Sequence, residues 1–278
     1  MNKRKKILLI VPRFPFPPLS GGEKWIANLI EFLSVDFGIF LFSFFSDNME
    51  KQQTAIAMDI ERKYLKKVFL IKKPAIAKKS PIPYLPKMYK CEDAANFLNK
   101  ISKEIKFDMA HIIFFEMAQY ASALPSSLPK LYTEIDASYF FPWKFFLRES
   151  AGFKGLFKIS EILKTLKYIK KYYPLFKAAT AIALKDGKHI SEYFKDKPLY
   201  YTPNAIKIKD FENKDTTVKK KNQILFLGHY PHFPNEDAAI RLAEKIYPKI
   251  KRVIPTAKLC LAGSFPTEKI KKLSNENI

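Results

Sequence analysis

Short apolar runs and amphipathic stretches take turns along this 278-residue chain, and that alternation constrains its fold more than any other feature. Lys6–Val11 is a run rich in branched residues, the pattern of a strand buried on both faces of a parallel sheet. A proline-rich loop, residues 12–22, leads into Glu23–Ser34, where Trp25, Ile26, Leu29, Ile30 and Leu33 share one helical face. Further strands are predicted at Phe37–Phe44, Lys67–Ile71, Met109–Phe114 and Lys130–Ile135, with helices at Met49–Tyr64, Glu92–Ile105 and Glu116–Ala123. Ala179–Leu184, Asp186–Phe194 and Leu199–Tyr201 continue the series as strand, helix and strand. The prolines between Pro74 and Lys90 mark that stretch as a connection. Such alternation implies right-handed crossovers and an open α/β sheet with helices on both faces.

Composition turns polar and charged over Lys207–Asn222, which reads as a linker between a domain at 1–206 and a second one at 223–278. The βα pattern then restarts, with strands at Ile224–Leu227 and Lys258–Leu261 and helices at Glu236–Val253 and Thr267–Leu273. Two βα units cannot cover both faces of a sheet, so 223–278 is expected to be the first βαβα portion of an incomplete second Rossmann-like domain.

Lys and Arg number 49 against 27 Asp and Glu, a net charge of +22, yet 47% of residues are apolar and 15% aromatic, which excludes a disordered polycation. Cys91 and Cys260 are too few and too far apart for a disulfide scaffold or a thiol metal site, and point to a reducing compartment. The basic N-terminus resembles the start of a signal peptide, but its apolar run closes at Pro12. Phe37–Phe45, the longest other run, is less than half of the ~20 residues that span a bilayer, so no transmembrane helix is predicted. The charge favours polyanionic partners: phosphate-bearing substrates, nucleic acid or the acidic face of a membrane.

Only eight glycines occur, and Gly21-Gly22 opens a helix. Glycines there let the backbone approach a ligand closely, and the helix start offers unpaired N–H groups to phosphate; a loop that merely turns into a helix capped by Ser20 explains them equally well. The pair is neither a GxGxxG nor a GxxxxGK[ST] fingerprint. Ligands of open α/β sheets bind outside the carboxyl ends of the strands, which singles out Glu116, Glu134 and Asp136. Alternation puts Glu134 and Asp136 on one face, suited to sugar hydroxyls or to capping the next helix. His111 lies inside its strand and is more readily a satisfied core histidine than a working one. His229 and His232 have no cluster around them to complete a metal site, so none is predicted.

Residues 141–177 interleave Phe141, Trp143, Phe145, Phe146 and further aromatics with nine basic residues against two acidic ones. Leu156, Ile159, Leu163, Leu166, Ile169 and Tyr173 share a helical face, with Lys164, Lys167, Lys170 and Lys171 among the lysines opposite. Such a segment, with Trp143 as a second anchor, can lie on an anionic membrane; packing on a core with a solvated lysine face fits as well.

Three stretches together carry a resemblance: Ile7-Leu-Leu-Ile-Val-Pro-Arg-Phe-Pro-Phe-Pro-Pro-Leu-Ser-Gly-Gly-Glu-Lys24, Tyr201-Thr-Pro-Asn-Ala-Ile206, and Ile224-Leu-Phe-Leu-Gly-His-Tyr-Pro-His-Phe-Pro-Asn-Glu-Asp-Ala-Ala-Ile240. In order and spacing they resemble family-4 retaining glycosyltransferases of the GT-B type, in the branch associated with exopolysaccharide assembly. The resemblance implies two Rossmann-like domains that hold a nucleotide-sugar between them, with no cofactor besides that donor. It implies substrate-binding roles for Gly21, Gly22, Asn204, Gly228 and Asn235, and sets His111 and Glu116 near the acceptor-side strand. Two departures stand out: Ala205 replaces the family's usual glycine, and the resemblance places the family's donor-holding E-x7-E segment in a part of the donor domain that this chain is expected to lack. The chain is therefore expected to be truncated in its donor domain and inactive alone. His111, Glu116 and Asp136 are the candidate catalytic residues, and Glu134 joins the substrate-binding set.

The expected function is glycosyl transfer from a nucleoside-diphosphate sugar to a glycan or lipid-linked acceptor in surface polysaccharide synthesis, in the cytoplasm at the inner membrane face. The competing class is a non-catalytic basic module that binds membranes or a partner through residues 141–177. Nucleic-acid binding has no motif to support it.

Overall fold

The computed structural model describes residues 4–45, 50–76, 80–137, 153–206, 208 and 221–278, with backbone alone at 50–51 and 153–158. The chain divides into two compact units, Met1–Ile206 and Lys207–Ile278.

The first unit is built on seven parallel strands: β1 (Lys6–Ile10), β2 (Gly38–Phe45), β3 (Lys67–Lys72), β4 (Met109–Ile113), β5 (Lys130–Glu134), β6 (Ala178–Ala181) and β7 (Leu199–Tyr201). Their spatial order is β3-β2-β1-β4-β5-β6-β7. The chain thus winds outward from β1 in one direction, returns, and winds out in the other. β1 lies between β2, with Leu8 opposite Phe40, and β4, with Leu9 opposite His111. Its side chains alternate between two cores. Leu8 and Ile10 join Phe42, Ile112 and Tyr132 beneath helix α4 (Glu92–Glu104), while Ile7 and Leu9 join Ile39, Leu41 and Ile113 beneath helix α1 (Gly21–Leu33). Burying one such aliphatic side chain contributes about 1.5–3 kcal/mol, so β1 anchors both cores at once.

The helix after β1 starts at Gly21, two residues before the apolar periodicity, because a reciprocal cap fixes it there. Ser20 Oγ accepts from the Glu23 N–H at 3.3 Å, and Glu23 Oε2 accepts from the Ser20 N–H at 3.1 Å. Helix α2 spans Glu50–Lys63. The proline-rich connection contains one helical turn, α3 (Tyr84–Lys87). Residues Phe115–Ala123, expected as an α-helix, wind as a 3-10 helix, with Ala118 and Ala121 at three-residue spacing from Phe115 to ease its eclipsed rows. The helix in the aromatic, basic region is α5 (Phe153–Tyr172), and α6 (Leu184–Ser191) precedes β7.

In the second unit β8 (Gln223–His229) pairs in parallel with β9 (Lys258–Ser264), which puts Gly228 opposite Gly263. Gly263 has φ +143°, and a Cβ on it would lie 1.8 Å from the Gly228 carbonyl oxygen, so only glycine fits. The long helix predicted after β8 is divided: α7 (Phe233–Arg241), a π-turn at Leu242–Ile246, then α8 (Tyr247–Val253). Pro248 accounts for the break, since it has no N–H for the carbonyl one turn earlier. A last turn, α9, covers Glu268–Lys271. Of the predicted linker Lys207–Asn222, only Ile208, Lys221 and Asn222 are among the described residues.

Candidate functional site

Strand order reverses at β1, whose neighbours β2 and β4 belong to the two opposite windings. Ligands of open α/β sheets bind outside the carboxyl ends of the strands at this reversal, so the loops after β1 and β4 define the site. They meet in one contact. A Cβ on Gly22 would lie 3.0 Å from Phe114 Cζ, and Phe114 itself adopts φ +75°, a backbone region costly for an aromatic residue. The strained residue stands between β4 and Glu116, as such residues commonly do at ligand sites. Nothing lies within 4 Å of where a Gly21 Cβ would be. Thus Gly22 is needed for packing, and Gly21 alone leaves open space at the helix start. The first N–H groups of a helix have no partner within it, and here the capping box serves those of Ser20 and Glu23, not those of Gly21 and Gly22.

Glu116 is partly buried, and desolvation pushes its carboxyl above the usual range, against the pull of Arg13 and Lys73 and with a push from Asp136. Arg13 follows β1 and Lys73 follows β3. Arg13 Nε lies 3.6 Å from Glu23 Oε1, and Lys73 Nζ lies 4.6 Å from the centre of the Tyr89 ring. Burial pushes the Tyr89 phenol up to about 12. Asp186, on α6, is likewise raised, first by burial and then by Asp136. The carboxyl ends of the strands therefore gather Arg13, Glu23, Lys73, Tyr89, Glu116, Asp136 and Asp186. Arg13, Lys73, Tyr89 and Asp186 were not among the sequence candidates. Their signal was position alone, close behind apolar runs or, for Tyr89, at the end of a stretch read as mere connection.

The two carboxylates of the β5 end part ways. Glu134 is fully buried, where Oε2 accepts from Tyr132 Oη at 2.7 Å and Oε1 from the Asp136 N–H at 3.2 Å. Tyr132 in turn accepts from Tyr173 Oη at 3.0 Å. Glu134 thus braces the loop beneath the exposed Asp136. His111 sits in mid-strand and away from this edge, with Nε2 2.6 Å from Thr133 Oγ1, which lies 2.7 Å from Thr180 Oγ1. Burial pushes its pKa down to about 4, so the ring is neutral. It borders a groove of about 560 Å³ on the α1 side of the sheet, together with Trp25, Leu29 and Thr202. Asn204 is exposed after β7, beside Ala205, whose carbonyl accepts from Asn28 Nδ2 of α1 at 3.4 Å.

In the second unit Gly228 ends β8 against Asn235, whose Nδ2 donates to the His229 carbonyl at 3.0 Å and ties α7 to the strand end. His229 Nδ1 lies 2.8 Å from Ser264 Oγ. Glu236 accepts from Thr267 Oγ1 at 2.6 Å, a bond that holds its carboxyl below the usual range.

On α5, Thr165, Tyr168, Ile169 and Tyr172 face the core; Tyr168 Oη accepts from the Gln119 N–H and its ring packs 4.8 Å from that of Phe115. Ile159 and Leu163, expected on the buried face, are 56% and 54% exposed, and Leu166 is exposed beside them. Lys164 pairs with Glu161 at 2.9 Å, Lys171 stacks on Tyr172, and Lys167 and Lys170 are exposed. Trp143 lies outside the described residues. Among the described residues no helix is long and apolar enough to cross a membrane, and no three or more His, Cys, Asp or Glu are grouped to hold a metal ion.

No family model and no curated protein matches the chain. Solved structures do. Sucrose-phosphate synthase from Thermosynechococcus elongatus is similar at 11% identity over 97% of this chain and 65% of its own, with a TM-score of 0.56. A UDP-glucosyltransferase from Polygonum tinctorium capable of glucosylating indoxyl is similar at 11% identity over 99% of this chain and 69% of its own, with a TM-score of 0.55. The MnaA protein of S. aureus, solved with UDP, gives 13% identity, 98% and 68% coverage and a TM-score of 0.54. At such identities the likeness is one of fold: an α/β architecture with a Rossmann-like seven-stranded parallel sheet, shared with structures of the GT-B type.

Proposed function

We propose that the protein transfers a glycosyl group from a nucleoside-diphosphate sugar to a glycan or lipid-linked acceptor, as a retaining enzyme of the family-4 kind in surface polysaccharide synthesis. The observation that carries this reading is the meeting of the Gly21-Gly22 helix start with Phe114, two residues before Glu116, at the point where strand order reverses. Departure of the sugar leaves negative charge on a diphosphate, and helix-start N–H groups already in place stabilise that charge without reorganisation. The fold likeness to a UDP-glucosyltransferase and to a structure holding UDP supports the donor class. Glu116 and Asp136, at adjacent strand ends, are suited to bind acceptor hydroxyls, and Asn204, Gly228 and Asn235 are proposed to border the donor. His111 is neutral and committed to Thr133, which favours support of the strand over proton transfer. Titration with UDP, GDP and their sugars by calorimetry, with hydrolysis followed in parallel, tests the reading. Absence of any nucleotide binding rejects it.

The exposed Ile159, Leu163 and Leu166 beside Lys167 and Lys170 support membrane association through α5. Co-sedimentation with anionic vesicles should fall when Lys164, Lys167, Lys170 and Lys171 are reversed to Glu. Unchanged binding removes the electrostatic part. Vesicle binding without nucleotide binding favours the non-catalytic membrane module.

A further inference from the structure

Basic side chains also gather at the opposite pole of the sheet, where β1, β2 and β3 begin. A cavity of about 170 Å³ opens there, lined by Arg4, Arg62, Lys63 and Lys66, with Glu61 as the one acidic residue on its walls among the described residues. Three chain segments are tied together around it. The Gly38 N–H donates to the Lys5 carbonyl at 2.9 Å, the Lys66 N–H to the Ile39 carbonyl at 2.7 Å, and Arg4 Nη1 to the Ser34 carbonyl at 3.3 Å, at the end of α1. A Cβ on Gly38 would lie 3.4 Å from Lys66 Cγ and 3.8 Å from its Cε, so the bare glycine lets the lysine stem run across the start of β2.

The charge at this pole is not balanced from within. Glu61 is spent on structure, since Oε1 accepts from the Val68 N–H at 2.6 Å and lies 3.3 Å from Lys67 Nζ. Arg62 reaches Asp59 only at 3.8 Å, with both side chains mostly exposed, and such a pair adds little. Lys63 and Lys66 have no carboxylate partner among the described residues. Cations do stabilise helix ends, and α1 and α2 both finish here. Two helix ends carry only about one negative charge between them, so Arg4, Arg62, Lys63, Lys66 and Lys67 against Asp59, Glu61 and that one charge leave about +2.

We propose that this cavity binds a phosphate group, carried either by a small soluble phosphate ester or by a phospholipid headgroup. Guanidinium forks and rotatable ammonium groups supply donors from the chain before β1, the end of α2 and the loop before β3, a set of directions that suits a tetrahedral oxyanion. Size narrows the ligand. The cavity has the volume of about six waters and is smaller than the roughly 300 Å³ at which pockets for drug-sized ligands begin, so a phosphate with a few attached atoms fits and a nucleotide does not. Position separates it from glycosyl transfer: β2, eight residues long, puts roughly 25 Å between this pole and the carboxyl ends of the strands. The proposal therefore does not depend on the transfer reading.

The test is calorimetry and ³¹P NMR on the full 278-residue chain with glycerol 3-phosphate, glycerol and UDP, beside co-sedimentation with phosphatidylcholine vesicles with and without phosphatidic acid. For a soluble source, glycerol 3-phosphate should bind where glycerol does not, and Lys63→Gln with Lys66→Gln should weaken it about tenfold or more. Removing the same charge between β6 and β7, about four strand spacings or roughly 20 Å from β2, with Lys188→Gln and Lys195→Gln, should change it less than about twofold. All four lysines are exposed, so both double variants keep the fold. A lipid source shows as binding to phosphatidic acid vesicles that falls in the first double variant and persists in the second. Equal losses in the two double variants reduce the effect to net charge and overturn the site. Failure of the parent to bind either phosphate probe, or binding that neither variant moves, overturns it as well. A matching loss of UDP affinity in the first variant overturns it too, by making the cavity part of a nucleotide site. No UDP binding by any of the proteins, with phosphate binding still lost in the first variant, keeps the cavity and removes the transfer reading.

Discussion

Adding one methyl group at two adjacent positions should move stability in opposite directions. At Gly21 the new Cβ meets nothing within 4 Å, and the residue is already in a helix, so Gly21→Ala chiefly restricts the unfolded chain. That stabilises by about 0.4–1 kcal/mol. At Gly22 the Cβ arrives 3.0 Å from Phe114 Cζ and 3.8 and 3.9 Å from the two Cε atoms, so the tip of the ring must retreat. Phe114 cannot swing freely, since its N–H donates to the Thr133 carbonyl at 3.1 Å and its φ is +75°. Overpacking of this kind costs about 1–3 kcal/mol, which outweighs the same entropic gain and leaves Gly22→Ala about 1–2 kcal/mol less stable than the parent. The two variants should thus differ by roughly 2 kcal/mol in urea unfolding followed by tryptophan fluorescence. Adding Phe114→Leu to Gly22→Ala should recover part of the loss. Equal effects of the same sign at both positions would refute the assigned contact. A second readout separates packing from ligand approach: Gly21→Ala should keep the fold and weaken nucleotide binding.

The His111 ring, with its pKa lowered from 6.5 to about 4, should make the fold acid-sensitive. Between these values the unfolded chain binds the extra proton, so this group's contribution falls as pH drops from 6.5 toward 4, by up to about 3 kcal/mol. His111→Gln should flatten urea midpoints measured between pH 7 and 4.5, and unchanged slopes would contradict the burial argument. Ser20→Ala removes half of the capping box and should cost about 1 kcal/mol by thermal unfolding, with Glu23→Gln costing less. An unaltered Tm for Ser20→Ala would mean that Gly22 and Phe114, rather than the cap, fix the helix start.

The architecture of the first unit was legible because its signal is repeated: each apolar run that ends in a polar residue is a strand with a ligand-facing end. Details that depend on a partner far along the chain were not. Gly22 read equally as a phosphate-loop glycine and as a plain turn into the helix, and nothing in the sequence said that Phe114, ninety-two positions on, would fill the space beside it. Glu134 and Asp136 share a face by alternation, yet the pattern ends with β5, and Tyr132 draws Glu134 inward while Asp136 stays out. On α5 the apolar stripe runs past the surface that the described residues offer it, so Tyr168 and Ile169 are buried while Ile159 and Leu163 are exposed. Pro248 was visible, but its effect was not, because a π-turn let the helix continue past a residue that often ends one.

The contrast between β1 and β8 sets a hierarchy of motion. In β1 the residues Leu8, Leu9 and Ile10 are completely buried, with strands hydrogen-bonded on both sides, so its amides open only when the whole first unit unfolds. β8 has one neighbouring strand among the described residues, and Leu225 and Leu227 are 65% and 75% exposed, so its amides exchange through small local openings. Gly228, at the end of that strand, thus belongs to a segment that breathes on a far shorter timescale than the sheet carrying Arg13 and Glu116. A ligand held at the end of β8 would therefore register there as slowed amide exchange, whereas one held at the end of β1 would leave the exchange of that strand's amides almost unchanged.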